Sequence, residues 1–217
     1  MKLVEYIKSP QENVSKESWK YLIKVFFLYI IISYLLRGLT GVLRNISSTC
    51  DYNNISIIED YPLWFVIVIP VLIEEFAFRL ALKRKLFLLF ISSLSFSFIC
   101  SAFIFNVHVY SWDNFIFRIT LSILISLLLI LIHKKLFCIK YNYYFYIFSI
   151  LFALLHVINF DYHNRSSIYI IINIINTILI IPSGIILGYV RVSYGFLYAI
   201  IFHLIHNYIP MSLYFIL

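Results

Sequence analysis

The chain has 217 residues, 63% of them hydrophobic and only 12% charged, with a mean hydropathy of +0.95. An ordinary soluble domain, where about a quarter of residues are charged, is excluded, and so is a disulfide framework, since Cys50, Cys100 and Cys138 are odd in number, far apart and without a CxxC. A formal charge of +7 would suit nucleic acid, but the Lys and Arg fall in short segments between apolar runs, which argues for membrane orientation and no nucleic-acid partner.

Residues 1–20 read as a basic cytoplasmic leader, with Lys2, Lys8, Lys16 and Lys20 set against Glu5, Glu12 and Glu17 and a turn signal at Ser9-Pro10. The apolar run that follows is too long for a cleavable signal peptide. Residues 21–217 read as a single transmembrane helical domain. A bilayer takes roughly 20 apolar residues per helix, and the runs 21–43, 62–82, 86–105, 115–132, 141–160, 168–190 and 195–217 supply about seven spans. The fold class is therefore all-α, a polytopic helix bundle. Residues 45–61, carrying Asp51, Glu59 and Asp60, form a polar loop; shorter loops hold His108 and Asp113, and residues 161–167. Pro70 is placed to kink the second span and Pro182 to interrupt the sixth. The three cysteines read as packing residues.

Twelve Lys or Arg fall on the side of the amino terminus: five up to Lys24, three at 83–85, three at 134–140, and Arg191. Three, Arg44, Arg118 and Arg165, fall on the other side, and Arg37 and Arg79 lie within spans. This bias places the amino terminus in the cytoplasm and the carboxyl terminus outside. The partner common to all spans is the lipid bilayer, and an Ile- and Asn-rich composition suits a bacterial plasma membrane.

Charge inside a span is costly, about 2.5 to 3.5 kcal/mol for Asp, Lys or Arg at a helix centre, so intramembrane ionisable groups read as functional sites. The second span holds Glu74, Glu75 and Arg79. Glu75 and Arg79 are i,i+4 with the acid first and pair on one face. Glu74 lies about 100° round the helix, without that partner. Desolvation makes such a carboxylate hold a proton more tightly, as a base working near neutral pH must. Span five contributes Phe152 and His156, with Asn159 one turn on; span seven contributes His203, His206 and Asn207, with His203 and Asn207 sharing a face. Gly184 and Gly188 have the spacing of close helix packing, with Arg191 just beyond. Counted along the spans at about 1.5 Å per residue, Glu74 and His203 are level, and His156 joins them only if the membrane part of span five begins near Phe145. A carboxylate, two imidazoles and an amide are the parts needed to activate a water and hold an oxyanion.

Glu-Glu-x-x-x-Arg at 74–79, Phe-x-x-x-His at 152–156 and His-x-x-x-Asn at 203–207, in that order on separate spans, resemble the motifs of the CPBP family, which comprises the CAAX prenyl endopeptidases of type II and the bacteriocin-processing or immunity (Abi) proteins. Gly184, Gly188 and Arg191 fit the same resemblance, which covers about residues 62–207. It implies an intramembrane endopeptidase acting on a membrane-associated peptide or protein, such as a prenylated protein or a bacteriocin precursor. By similarity Glu74 would be the base, Glu75 and Arg79 would shape the site, His156 and His203 would position water or the intermediate, and Asn207 would contribute to the oxyanion site. The resemblance leaves the cofactor open. There is no His-Glu-x-x-His, but His156 and His203 with a glutamate would make a three-ligand zinc site with one open position; a glutamate-activated water needs no metal. A serine protease would want Gly-x-Ser-Gly, and Ser183-Gly184 lacks the first Gly; an aspartyl type would want two intramembrane Asp, and every Asp lies in a loop. Two readings stand beside the protease: a non-catalytic bacteriocin immunity protein, and a proton-coupled transporter, which the lack of internal symmetry disfavours.

Overall fold

The computed structural model describes residues 2–15, 17–46, 62–105, 107, 109, 111–159 and 167–216, without the side chains at 37, 40, 43–46, 63, 158–159 and 210–216. The polar loop expected up to residue 61 falls outside the described residues beyond residue 46. His108, residues 161–166 and the side chains of Arg37 and Asn159 lie outside them too.

The described residues form helices and no strand. In chain order they are α1 (Leu3–Lys8), α2 (Trp19–Ile46), α3 (Leu63–Arg79), α4 (Leu86–Ile104), α5 (Phe115–Leu131), α6 (His133–Cys138), α7 (Tyr141–Leu155) with a 3-10 turn His156–Asn159, α8 (Ser167–Ser193) and α9 (Phe196–Ile216). The seven longer helices follow the expected apolar runs closely. Three of them, α2, α4 and α8, are long and apolar enough to cross a membrane. Their outward faces carry exposed large side chains such as Phe27, Leu35, Phe87 and Ile171, as lipid-facing surface does and water-facing surface rarely does.

The bundle is arranged round α8, which packs against α1, α2, α3, α7 and α9. It is a continuous helix through Pro182 rather than an interrupted one, and α3 likewise runs through Pro70. Each proline removes one backbone bond, but packing on several sides keeps the flanking turns in register. Ser33 on α2 meets Ser183 on α8 at 3.3 Å. The α8–α9 turn needs Gly195, whose φ of +119° is closed to other residues. The hairpin α4–α5 packs on the bundle through α3. Arg118, fully buried, ties that hairpin: its guanidinium donates to the Ser111 and Val109 carbonyls, both at 2.9 Å, and to Ser101 Oγ at 3.2 Å, and lies 4.3 Å from the Phe98 ring centre. Cys100 is half-buried, whereas Cys138 is exposed at the end of α6 and is not a packing residue.

The amino-terminal segment packs on the bundle. Tyr6 is fully buried, its ring edge-on to Phe145 at 5.1 Å and to Tyr189 at 5.2 Å. The Leu3 N–H donates to the Tyr21 hydroxyl at 2.8 Å, the Tyr146 hydroxyl to the Ile7 carbonyl, and the Arg84 N–H to the Glu12 carboxylate at 2.9 Å. Burial, reinforced by the neighbouring Tyr141, pushes the Tyr6 phenol well above its ordinary value. The folded state holds the phenol neutral, so its contribution is present below about pH 10 and is lost as the pH rises past that unfolded value. Limited proteolysis after Lys8 is accordingly expected to be slow at pH 8 and to accelerate above pH 10, and to be fast at both in Tyr6→Ala.

Candidate active site

The site is built on α3, whose carboxyl-terminal end is held from several sides. The last four carbonyls of a helix have no partner within it. Here Ser92 on α4 donates to the Ala77 carbonyl, Arg191 Nε on α8 to that of Arg79 at 3.0 Å, and the Lys83 N–H to that of Leu80 at 3.2 Å. Just beyond, the hydroxyls of Tyr144 and Tyr141 on α7 donate to the carbonyls of Ala81 at 3.0 Å and Leu82 at 3.1 Å. The start of α7 thus stands beside the end of α3, and the climb from Tyr141 brings Phe152 to the level of the charged residues.

Glu75 and Arg79 are both buried and form the expected i,i+4 pair, with Arg79 Nε 3.6 Å from Glu75 Oε2. Glu75 also faces α9, where its Oε1 accepts from His203 Nδ1–H at 2.9 Å. The other ring nitrogen, Nε2, points to Glu74 Oε2 at 3.7 Å, beyond hydrogen-bond length. A single imidazole therefore lies between two adjacent carboxylates. One is fully buried and ion-paired; the other, Glu74, is 19% exposed.

Phe152 makes the second wall. The Arg79 guanidinium carbon lies 4.2 Å from its ring centre, a cation–π contact away from water, and the rings of His203 and His156 meet it edge-on at 5.8 and 5.1 Å. His156 is half-buried and donates Nδ1–H to the Phe152 carbonyl at 2.9 Å. Asn207, one turn past His203, is half-buried. His206 instead turns to α2, against the rings of Tyr29 at 5.0 Å and Tyr34 at 6.2 Å.

Gly184 and Gly188 allow α7 to come close enough to place Phe152. A Cβ at Gly184 would stand 2.8 Å from the Ser149 carbonyl oxygen and 3.1 Å from Phe152 Cδ1, and one at Gly188 2.7 Å from Phe145. Gly184→Ala has backbone on one side and Phe152 on the other. It is expected to cost about 1 to 3 kcal/mol, read by denaturation in detergent, and to disturb the site through Phe152.

Both nitrogens of His203 are directed at carboxylates and His156 Nδ1 at a backbone carbonyl. Among the described residues no group of three or more His, Cys, Asp or Glu is gathered to hold a metal ion.

Of the expected site residues, Glu74, Glu75, Arg79 and His203 come together directly, His156 joins through the Phe152 ring, and Asn207 follows His203 on α9. The spacing gave no sign that Phe152 is the shared ring partner or that Tyr141 and Tyr144 hold the end of α3. Comparison with family models, curated proteins and solved structures finds no match for this chain.

Proposed function

We propose that this protein is an intramembrane endopeptidase that hydrolyses a peptide bond of a membrane-associated peptide or protein with a glutamate-activated water, in a seven-span bundle whose amino terminus is cytoplasmic. The observation that carries the proposal is the placement of His203, hydrogen-bonded to the ion-paired Glu75 on one nitrogen and facing the more accessible Glu74 on the other.

In this reading Glu74 removes a proton from water as the resulting hydroxide adds to the scissile carbonyl carbon. Negative charge develops on the carbonyl oxygen, where His203 and the Asn207 amide would stabilise it. The C–N bond then breaks, and the proton held by Glu74 passes to the departing nitrogen, giving a carboxylic acid and an amine. Glu75 and Arg79 do not exchange protons; the pair keeps His203 oriented. The resemblance of the three motifs and the twelve-to-three distribution of basic residues support the reading and its orientation.

The test is cleavage of a peptide set that includes prenylated peptides and bacteriocin leaders by the purified protein, beside Glu74→Gln. Cleavage by the native protein that is lost in the variant is expected; equal cleavage by both would overturn the proposal.

A further inference from the structure

A second constellation lies at the end of the bundle where α8 turns into α9. Trp19, Tyr194, Tyr198 and Glu17 line a half-open cavity of about 70 Å³. Its aromatic walls stand nearly at right angles in succession: Trp19 to Tyr198 at 75° with centres 5.3 Å apart, and Tyr198 to Tyr194 at 72° with centres 6.5 Å apart. Rings set in this way form a box. Trp and Tyr rings carry negative π faces, and Glu17 adds a carboxylate to the lining.

Such a lining selects a cation and restricts which kind. Rings cannot replace the oxygen shell that a hard metal ion demands, whereas they suit the methyl or methylene groups of an alkylated ammonium, whose charge is spread over carbon. That volume is several times the space of about 10 to 15 Å³ that one water needs, room for an ammonium and its attached carbons with the remainder projecting through the open side.

The surroundings point to the source of that ammonium. Trp19 is 65% exposed at the first position of α2, the side chain and position favoured at the edge of a bilayer. Directly below it, one turn apart, Ile23, Phe27, Ile31 and Leu35 are all exposed and form a continuous apolar ridge. On α9, Leu197, Ile201 and Ile205 form another, and the two helices meet through Phe26 and Phe202, whose rings are 4.9 Å apart. An acyl chain lying along these ridges has its headgroup at the box.

We infer that Glu17, Trp19, Tyr194 and Tyr198 form a headgroup site for a zwitterionic phospholipid, binding its ammonium while its acyl chain follows the exposed ridge of α2. The site is separate from the Glu74–His203 cluster and does not depend on the protein being a peptidase.

Native mass spectrometry tests it, with protein released from mixed micelles holding equal amounts of phosphatidylethanolamine, phosphatidylcholine and phosphatidylglycerol. The native protein is expected to retain the two zwitterionic lipids about fivefold over the anionic one. Glu17→Gln and Trp19→Ala, with helicity confirmed by circular dichroism, are expected to lose that preference. Tetramethylammonium chloride is expected to displace the lipid at concentrations where sodium chloride does not. Equal retention of all three lipids, an unchanged preference in Glu17→Gln, or equal displacement by the two salts would overturn the inference. So would a lysine-bearing peptide that occupies the box while lipid retention shows no preference, since the ligand would then be a peptide amine.

Discussion

Glu74→Gln is expected to slow peptide hydrolysis by about 100- to 10,000-fold, the contribution of a positioned general base, while leaving the folded protein as stable as the native one. Gln preserves the shape of the side chain but cannot accept the proton of an attacking water. Glu74 is the partly exposed member of the adjacent pair, and its approach to His203 is too long for a hydrogen bond. Its loss therefore strands no buried partner. Glu75→Gln should behave differently: it leaves Arg79 buried without its countercharge and weakens the hold on His203. The check is to measure kcat and the melting temperature in detergent for both variants. A large fall in kcat at constant Tm is expected for Glu74→Gln, and a fall in both for Glu75→Gln. If Glu74→Gln lowered activity only in proportion to folded protein, Glu74 would not be the base.

The largest expected loss of stability is in Arg79→Met. Arg79 is buried, as is Glu75, and removing one member of a buried ion pair leaves the other uncompensated, at a typical cost of about 3 to 5 kcal/mol. Methionine keeps contact with the Phe152 face, so lost charge rather than lost volume dominates. Adding Glu75→Gln to Arg79→Met removes the stranded carboxylate and should recover most of the loss, so the two substitutions will be far from additive. Denaturant unfolding of the two single variants and the double variant measures the coupling directly. Additive losses would mean that the pair at 3.6 Å carries no net interaction.

The long helices were legible because an apolar run of bilayer length has few alternatives: 86–105 was expected and Leu86–Ile104 is observed, 115–132 was expected and Phe115–Leu131 is observed. The short helices α1 and α6 were not, since six residues offer too little periodicity to read. Among 18 tyrosines nothing distinguished Tyr6, whose burial comes from long-range packing on Phe145 and Tyr189. In the site, the i,i+4 rule found the Glu75–Arg79 pair because both lie on one helix. The contact between His203 and Glu75 joins residues 128 positions apart, and chain spacing does not show which of two neighbouring carboxylates an imidazole on another helix will bind. Arg118 was placed by its charge in the extracytoplasmic set, whereas its guanidinium is folded inward onto the carbonyls of the α4–α5 connection.

The end of α3, clasped by Ser92, Arg191, Tyr141 and Tyr144, acts mechanically as a clamped beam. Twisting or sliding it would break bonds to three other helices at once, so its two glutamates travel only with α7 and α8 as one rigid block. Compliance is left to α5, which reaches that block chiefly through α4. The backbone amides of α5 should therefore exchange with solvent deuterium ahead of those around Glu74, and any door for a polypeptide would hinge on α5.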